Sequence, residues 1–88
     1  MPSSWVDIDR ACATPNGVWA YLSDVRGPVE VGDVVNVQEK RSRKTGGALV
    51  TGLDDERVYL SLAWDTLTDA YSAEAVRRYA RYAREVLG

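Results

Sequence analysis

Histidine and phenylalanine are absent from this 88-residue chain, and cysteine and methionine occur once each. Without histidine the commonest general base and the commonest metal ligand are missing. Zinc would have only Cys12 and carboxylates to bind it, which is not a credible ligand set. A single cysteine excludes an intramolecular disulfide, and so a small disulfide-stapled secreted scaffold; it suits a reducing cytoplasm. Cys12, between Ala11 and Ala13, has no histidine to activate it as a nucleophile and reads as a small buried hydrophobe. With no phenylalanine, a core of this size must take its bulk from tryptophan, tyrosine and aliphatic residues.

Long apolar runs are also missing. No window approaches the ~18 apolar residues of a membrane span. The segment Met1-Pro2-Ser3-Ser4 lacks the basic and apolar regions of a signal peptide. A cytoplasmic location is therefore expected. Arginine far outnumbers lysine, and alanine and valine are abundant, a composition that fits a GC-rich genome such as that of an actinobacterium or one of its phages.

What is present is one domain's worth of chain, 45% hydrophobic, near the lower end of independently folding sizes. Net charge is −2, unevenly spread. Residues 1–38 carry five acids and two bases, whereas residues 39–44 are net +3. Residues 54–69 carry five acids against Arg57. The C-terminal stretch sets Arg77, Arg78, Arg81 and Arg84 against Glu74 and Glu85. Such a chain is patchy without being basic overall.

The organisation read along the chain is α+β. Residues 3–13 read as a short helix or turn, with Trp5, Ile8 and Cys12 at helical spacing. Thr14-Pro15-Asn16-Gly17 admits two readings. Thr14 caps a helix through Val18–Leu22, or Asn16-Gly17 is a hairpin turn before a strand. The helix is preferred, because Val18, Trp19, Leu22 and Val25 keep helical spacing and Gly27-Pro28 can stop it. From Pro28 the period becomes two, with Val29, Val31, Val35 and Val37 on one side and a bend at Gly32-Asp33. A polar loop, Glu39–Thr45, is closed by Gly46-Gly47. Strands follow at Ala48–Thr51 and Arg57–Trp64, with a turn over Gly52–Glu56 and a last short strand at Thr68–Tyr71. Ser72 caps an amphipathic helix from Ala73 to about Leu87, with its arginines opposite Val76, Tyr79, Ala80 and Ala83. The expected layout is a helical N-terminal extension (1–27), four or five short antiparallel strands (28–71) and a C-terminal amphipathic helix (72–88).

Three places carry a family resemblance: Val31-Gly32-Asp33-Val34-Val35, Gly47–Gly52, and Arg57–Asp65 followed by Tyr71–Val76. Over residues 29–78 the chain resembles an SH3-like small β-barrel of the Tudor or KOW type. Leu60-Ser61-Leu62 is also similar to the closing strand of an S1-type OB domain, though the preceding strand order needs an insertion. The resemblance implies a binding module. In Tudor-type barrels an aromatic-and-acid group holds modified basic side chains, which draws attention to Tyr59 and Tyr71.

Signals for chemistry are weak. Lys44-Thr45 lacks the upstream glycine spacing of a phosphate-binding loop. Asp7-x-Asp9 and Asp54-Asp55-Glu56 could coordinate Mg²⁺ or Ca²⁺ loosely, but solvated turns explain both. No cofactor is implied. The best candidate contact is Lys40, Arg41, Arg43 and Lys44, a basic cluster that a hairpin does not need and that attracts phosphate or an acidic surface. The arginine face of the C-terminal helix (Arg77, Arg78, Arg81, Arg84) is the second. Trp64 and Tyr79 read as core. A non-enzymatic protein-binding module or regulator, phage-encoded or bacterial, is the expected function. The alternative is nucleic-acid binding through the basic loop and helix arginines, an idea opposed by the sequence pI near 5.0.

Overall fold

The computed structural model describes residues 4–69 and Arg84. Alternation of side chains builds its elements. On β1 (Trp5–Ile8), Val6 and Ile8 point inward and are fully buried, while Trp5 and Asp7 face out. The first 3-10 turn, Arg10–Cys12, is capped by the Asp9 carboxylate, which accepts from the Ala11 N–H at 2.9 Å. A two-residue β2 (Ala13–Thr14) then turns through Pro15-Asn16 into β3 (Gly17–Tyr21). A second 3-10 turn, Leu22–Asp24, leads to β4 (Val25–Arg26). β5 (Val34–Glu39), β6 (Thr45–Leu53) and β7 (Arg57–Ser61) form an antiparallel meander, followed by a last 3-10 turn at Trp64–Thr66.

One seven-stranded sheet results, in the order β2-β3-β7-β6-β5-β1-β4. All its pairings are antiparallel except β1 with β5, which run parallel. The sheet cannot be flat. In that order β3 and β4 stand far apart, and at about 4.8 Å per step a flat sheet would separate them by roughly 24 Å. Yet Tyr21 and Val25 are joined by the short Leu22–Asp24 turn, whose chain reaches at most about 14 Å. The sheet therefore curls until β1 packs against β3. Its inner face holds Val6, Ile8, Val18, Ala20, Val35, Val37, Ala48, Val50, Val58, Leu60, Leu62 and Leu67, all buried.

Several expectations are corrected. Over residues 4–69 the fold is a mixed seven-stranded sheet, not a helical extension followed by four or five antiparallel strands, and no α-helical element occurs among those residues. The N-terminal helical extension is replaced by β1 to β4, which supply four of the sheet's strands. The segment Val18–Leu22 fits both periods. All of it but Leu22 is strand, with Val18 and Ala20 buried while Trp19 and Tyr21 are not. The hairpin turn lies one residue earlier than read, at Pro15-Asn16, with Thr14 opposite Gly17.

Val29 and Val31 are not in a strand. The Asp33 N–H donates to the Glu30 carbonyl at 3.1 Å, and Gly32 takes φ +97° within that turn, a position that favours glycine. Gly46 and Gly47 close no loop; they lie within β6. A Cβ on Gly46 would sit 2.6 Å from Leu67 Cδ2, so the missing side chain is where Leu67 packs. Trp64 is half-buried at the margin of the core instead of inside it. Thr68 forms an isolated bridge to Thr45, and the rest of the expected last strand, with Tyr71, lies outside the described residues. So does the C-terminal helix expected over residues 72–88, except for exposed Arg84.

Candidate functional site

The basic cluster occupies the β5–β6 hairpin. There Arg43 takes φ +64°, its N–H donates to the Glu39 carbonyl at 2.9 Å, and Lys44 O accepts from the Glu39 N–H at 2.9 Å. Lys40, Arg41, Arg43 and Lys44 are all exposed. They do not act as one field. Lys40 Nζ lies 3.1 Å from Asp24 Oδ2. Its hydrogen bond to Asp24 raises the Lys40 pKa, and the charges of Asp24, Asp9 and Asp7 add to it. Asp7, Asp9, Asp24 and Lys40 line a small cavity of about 90 Å³ between β1 and β3, together with Cys12, Trp19, Ala20 and Tyr21. Arg41 borders a shallow depression with Asp9, Arg10, Ala11 and Glu39. The hairpin's positive charge thus rises directly from an acidic surround.

Glu39 anchors the hairpin from below. Its side chain, 8% exposed, accepts from Arg10 Nε at 3.1 Å and from Ser42 Oγ at 2.5 Å. The Arg10 guanidinium carbon lies 4.5 Å from the centroid of Trp64, so this arginine joins the first 3-10 turn to the last. The Ser42 hydrogen bond, then the hydrogen bond and charge of Arg10, hold the Glu39 pKa below its ordinary value against the opposing effect of burial. A carboxyl whose pKa is depressed on folding contributes stability above its unfolded pKa, about 4.3, and loses it as pH falls through the folded value. Urea unfolding followed from neutral pH into the acid range should show this loss. Glu39→Gln is expected to cost about 1 kcal/mol at neutral pH, with the two proteins converging as the pH drops. A constant gap across the acid range would refute the assignment.

A different cluster forms on the outer face of β3 and β7. The register sets Trp19 opposite Tyr59 and Tyr21 opposite Arg57. Trp19 and Tyr21 meet edge to face, with centroids 5.0 Å apart at 84°. The Arg57 guanidinium carbon lies 4.0 Å from the Trp19 centroid and 5.8 Å from that of Tyr21. Tyr21 is 47% exposed; Trp19, Arg57 and Tyr59 are half-buried.

The turn before β7 holds this cluster in place. Asp54 Oδ1 accepts the N–H groups of Glu56 and Arg57 at 2.8 Å each, and Oδ2 accepts the Tyr59 hydroxyl at 2.9 Å. The Glu56 and Arg57 N–H groups, then the Tyr59 hydroxyl, lower the Asp54 pKa. Tyr59 is correspondingly raised, first by its hydrogen bond to Asp54, while the nearby Arg57 guanidinium works the other way. The Thr51–Gly52 irregularity in β6 lies opposite, and the Thr51 hydroxyl donates to the Tyr59 carbonyl at 3.2 Å.

Of the residues singled out from sequence, Tyr59 belongs to this outer cluster and the four hairpin cations form a separate, partly neutralised group. Tyr71, Arg77, Arg78 and Arg81 lie outside the described residues; Arg84 is described and exposed. Sequence reasoning missed Tyr21 and Arg57, and did not place Trp19 beside Tyr59. The signal was the alternation Val18-Trp19-Ala20-Tyr21, which a helical reading hides.

Asp7 pairs with Arg26 at 3.3 Å, and Asp9 serves as a cap. No group of three or more His, Cys, Asp or Glu is placed to hold a metal among the described residues. No helix among them is long and apolar enough to cross a membrane. Comparison with protein-family models, curated proteins and solved structures gives no match.

Proposed function

We propose that this chain is a small non-enzymatic protein-binding module or regulator, working in the cytoplasm of a GC-rich bacterium or of a phage's host. Its curled seven-stranded sheet supplies the scaffold for that contact. The contact surface is the outer face carrying Trp19, Tyr21, Arg57 and Tyr59. One observation carries this reading: the residue types that most often dominate binding energy in interfaces, Trp, Tyr and Arg, converge there through strand register, with Arg57 held over Trp19 and Tyr21. Stacking reduces the side-chain entropy such a surface would lose on binding.

A second reading keeps nucleic acid as the partner of the basic hairpin. It is favoured by Arg41, Arg43 and Lys44, which are exposed and make no ion pair among the described residues. The acidic surround of Lys40 weighs against it.

Affinity capture from a GC-rich bacterial lysate, with and without nuclease, separates the two when run with two variants. Tyr21→Ser with Arg57→Ser is expected to weaken retention of the captured protein at least tenfold, in nuclease and in moderate salt alike. Arg41→Ser, Arg43→Ser and Lys44→Ser together should leave it unchanged. Capture lost with nuclease and with the hairpin variant would move the function to nucleic acid, where each phosphate contact removed flattens the logarithmic salt dependence by about 0.9.

A further inference from the structure

The geometry points to a carboxylate as the group that the outer face recognises, presented by an extended protein segment with one acidic side chain among neutral or basic neighbours. This inference rests on the face being the binding surface. Its basis is the electrostatic state of Arg57. The described ion pairs join Arg10 to Glu39, Arg26 to Asp7 and Lys40 to Asp24. Arg57 takes part in none of them. The Asp54 carboxylate feels the Arg57 charge but forms no ion pair with it. Both Asp54 oxygens are engaged, Oδ1 with two backbone N–H groups and Oδ2 with the Tyr59 hydroxyl.

Arg57 is therefore a cation held over two aromatic rings with no carboxylate in ion-pair contact among the described residues. A guanidinium cannot deprotonate in proteins and offers five donors in a planar fork. That fork matches a carboxylate bidentately, and the stacked setting limits the motion lost when it binds. Trp19, Tyr21 and Tyr59 supply apolar surface for the residues flanking the acid.

The surround sets the rest of the specificity. Asp55 and Glu56 are exposed in the turn immediately before Arg57. They repel a run of acids and favour a basic residue beside the recognised carboxylate. A polyacidic tail thus fits poorly, and a mixed-charge segment fits well.

The probe is a displayed library of random short peptides, selected against the full chain, against Arg57→Lys and against Tyr21→Ser. Arg57→Lys keeps the charge and removes the planar fork and the ring stacking. Its unfolding midpoint in urea, matched to that of the parent, establishes that the variant is folded. Expected are peptides with Asp or Glu at one fixed position, bound at least tenfold more weakly by Arg57→Lys and by their own Asn- or Gln-substituted versions. Peptides without an acidic position, or indifferent to Arg57→Lys but weakened by Tyr21→Ser, would overturn the carboxylate inference and leave the face as the binding surface. Enrichment indifferent to both variants, or none at all, would overturn both readings.

Discussion

Gly17→Ala is expected to remove a large share of the stability of this protein, costing about 3 kcal/mol or more. That exceeds the usual 1–3 kcal/mol range for overpacking. A Cβ at Gly17 would lie 1.8 Å from the Leu60 carbonyl oxygen, 2.9 Å from Leu60 C and 3.0 Å from Leu62 N. All three are backbone atoms in or just after β7, so no rotamer change relieves the contact. The strands would have to part where Gly17 pairs with Ser61 and Leu62 N–H donates to Asn16 O at 3.2 Å. Gly32→Ala is the control, because its added carbon meets nothing within 4 Å and only the positive φ of +97° resists it. That strain amounts to about 1 kcal/mol. Urea unfolding of both variants tests the contrast; equal costs would mean that β3 does not approach β7 as closely as this.

Ile8→Ala should follow closely, at about 3–4 kcal/mol within the 2–5 kcal/mol range for truncating a buried isoleucine. Ile8 is fully buried and heads the largest side chains with no exposure. It also sits where the sheet depends on a long-range parallel pairing, opposite Glu39 on β5, with its carbonyl accepting from the Lys40 N–H at 2.9 Å. A domain of this length has a total stability of roughly 4–13 kcal/mol, so the loss is a large fraction of the whole. Ile8→Val, which removes one methyl group, should cost about 1 kcal/mol. A cost below about 1 kcal/mol for Ile8→Ala would show that β1 is not part of the core.

These two residues mark where local patterning informs and where it misleads. Val35, Val37, Val58, Leu60 and Leu62 alternate, and all five are buried. Period-two patterning found them because Asn36 separates Val35 from Val37, and Tyr59 and Ser61 separate Val58, Leu60 and Leu62. Trp5, Ile8 and Cys12 keep helical spacing over the same residues in which Val6 and Ile8 alternate. Over so short a span the two periods overlap, and only the neighbouring strand chooses between them. β1 becomes a strand because β5 and β4 offer it ladders on both sides.

The same limit applies to the surface. The run Lys40, Arg41, Arg43, Lys44 is conspicuous as a sequence, but charge along a chain does not give charge in space. Asp24 is sixteen residues from Lys40 and lies 3.1 Å away in the fold. Arg57 and Trp19 are far apart along the chain, and strand register alone brings the guanidinium to 4.0 Å from the ring centroid.

By itself the sequence excluded an intramolecular disulfide, located the three strands β5 to β7, and placed a cationic hairpin tip between the first two. Those properties depend on composition and on residues close in the chain. Only the tertiary structure decided that residues 5–26 are strands, that β1 runs parallel to β5, that the sheet curls, and that Trp19, Tyr21, Arg57 and Tyr59 share one face. The reason is that a strand satisfies its backbone through a partner distant in the chain. Its identity, register and outward face are therefore properties of the pair, which a single segment does not contain.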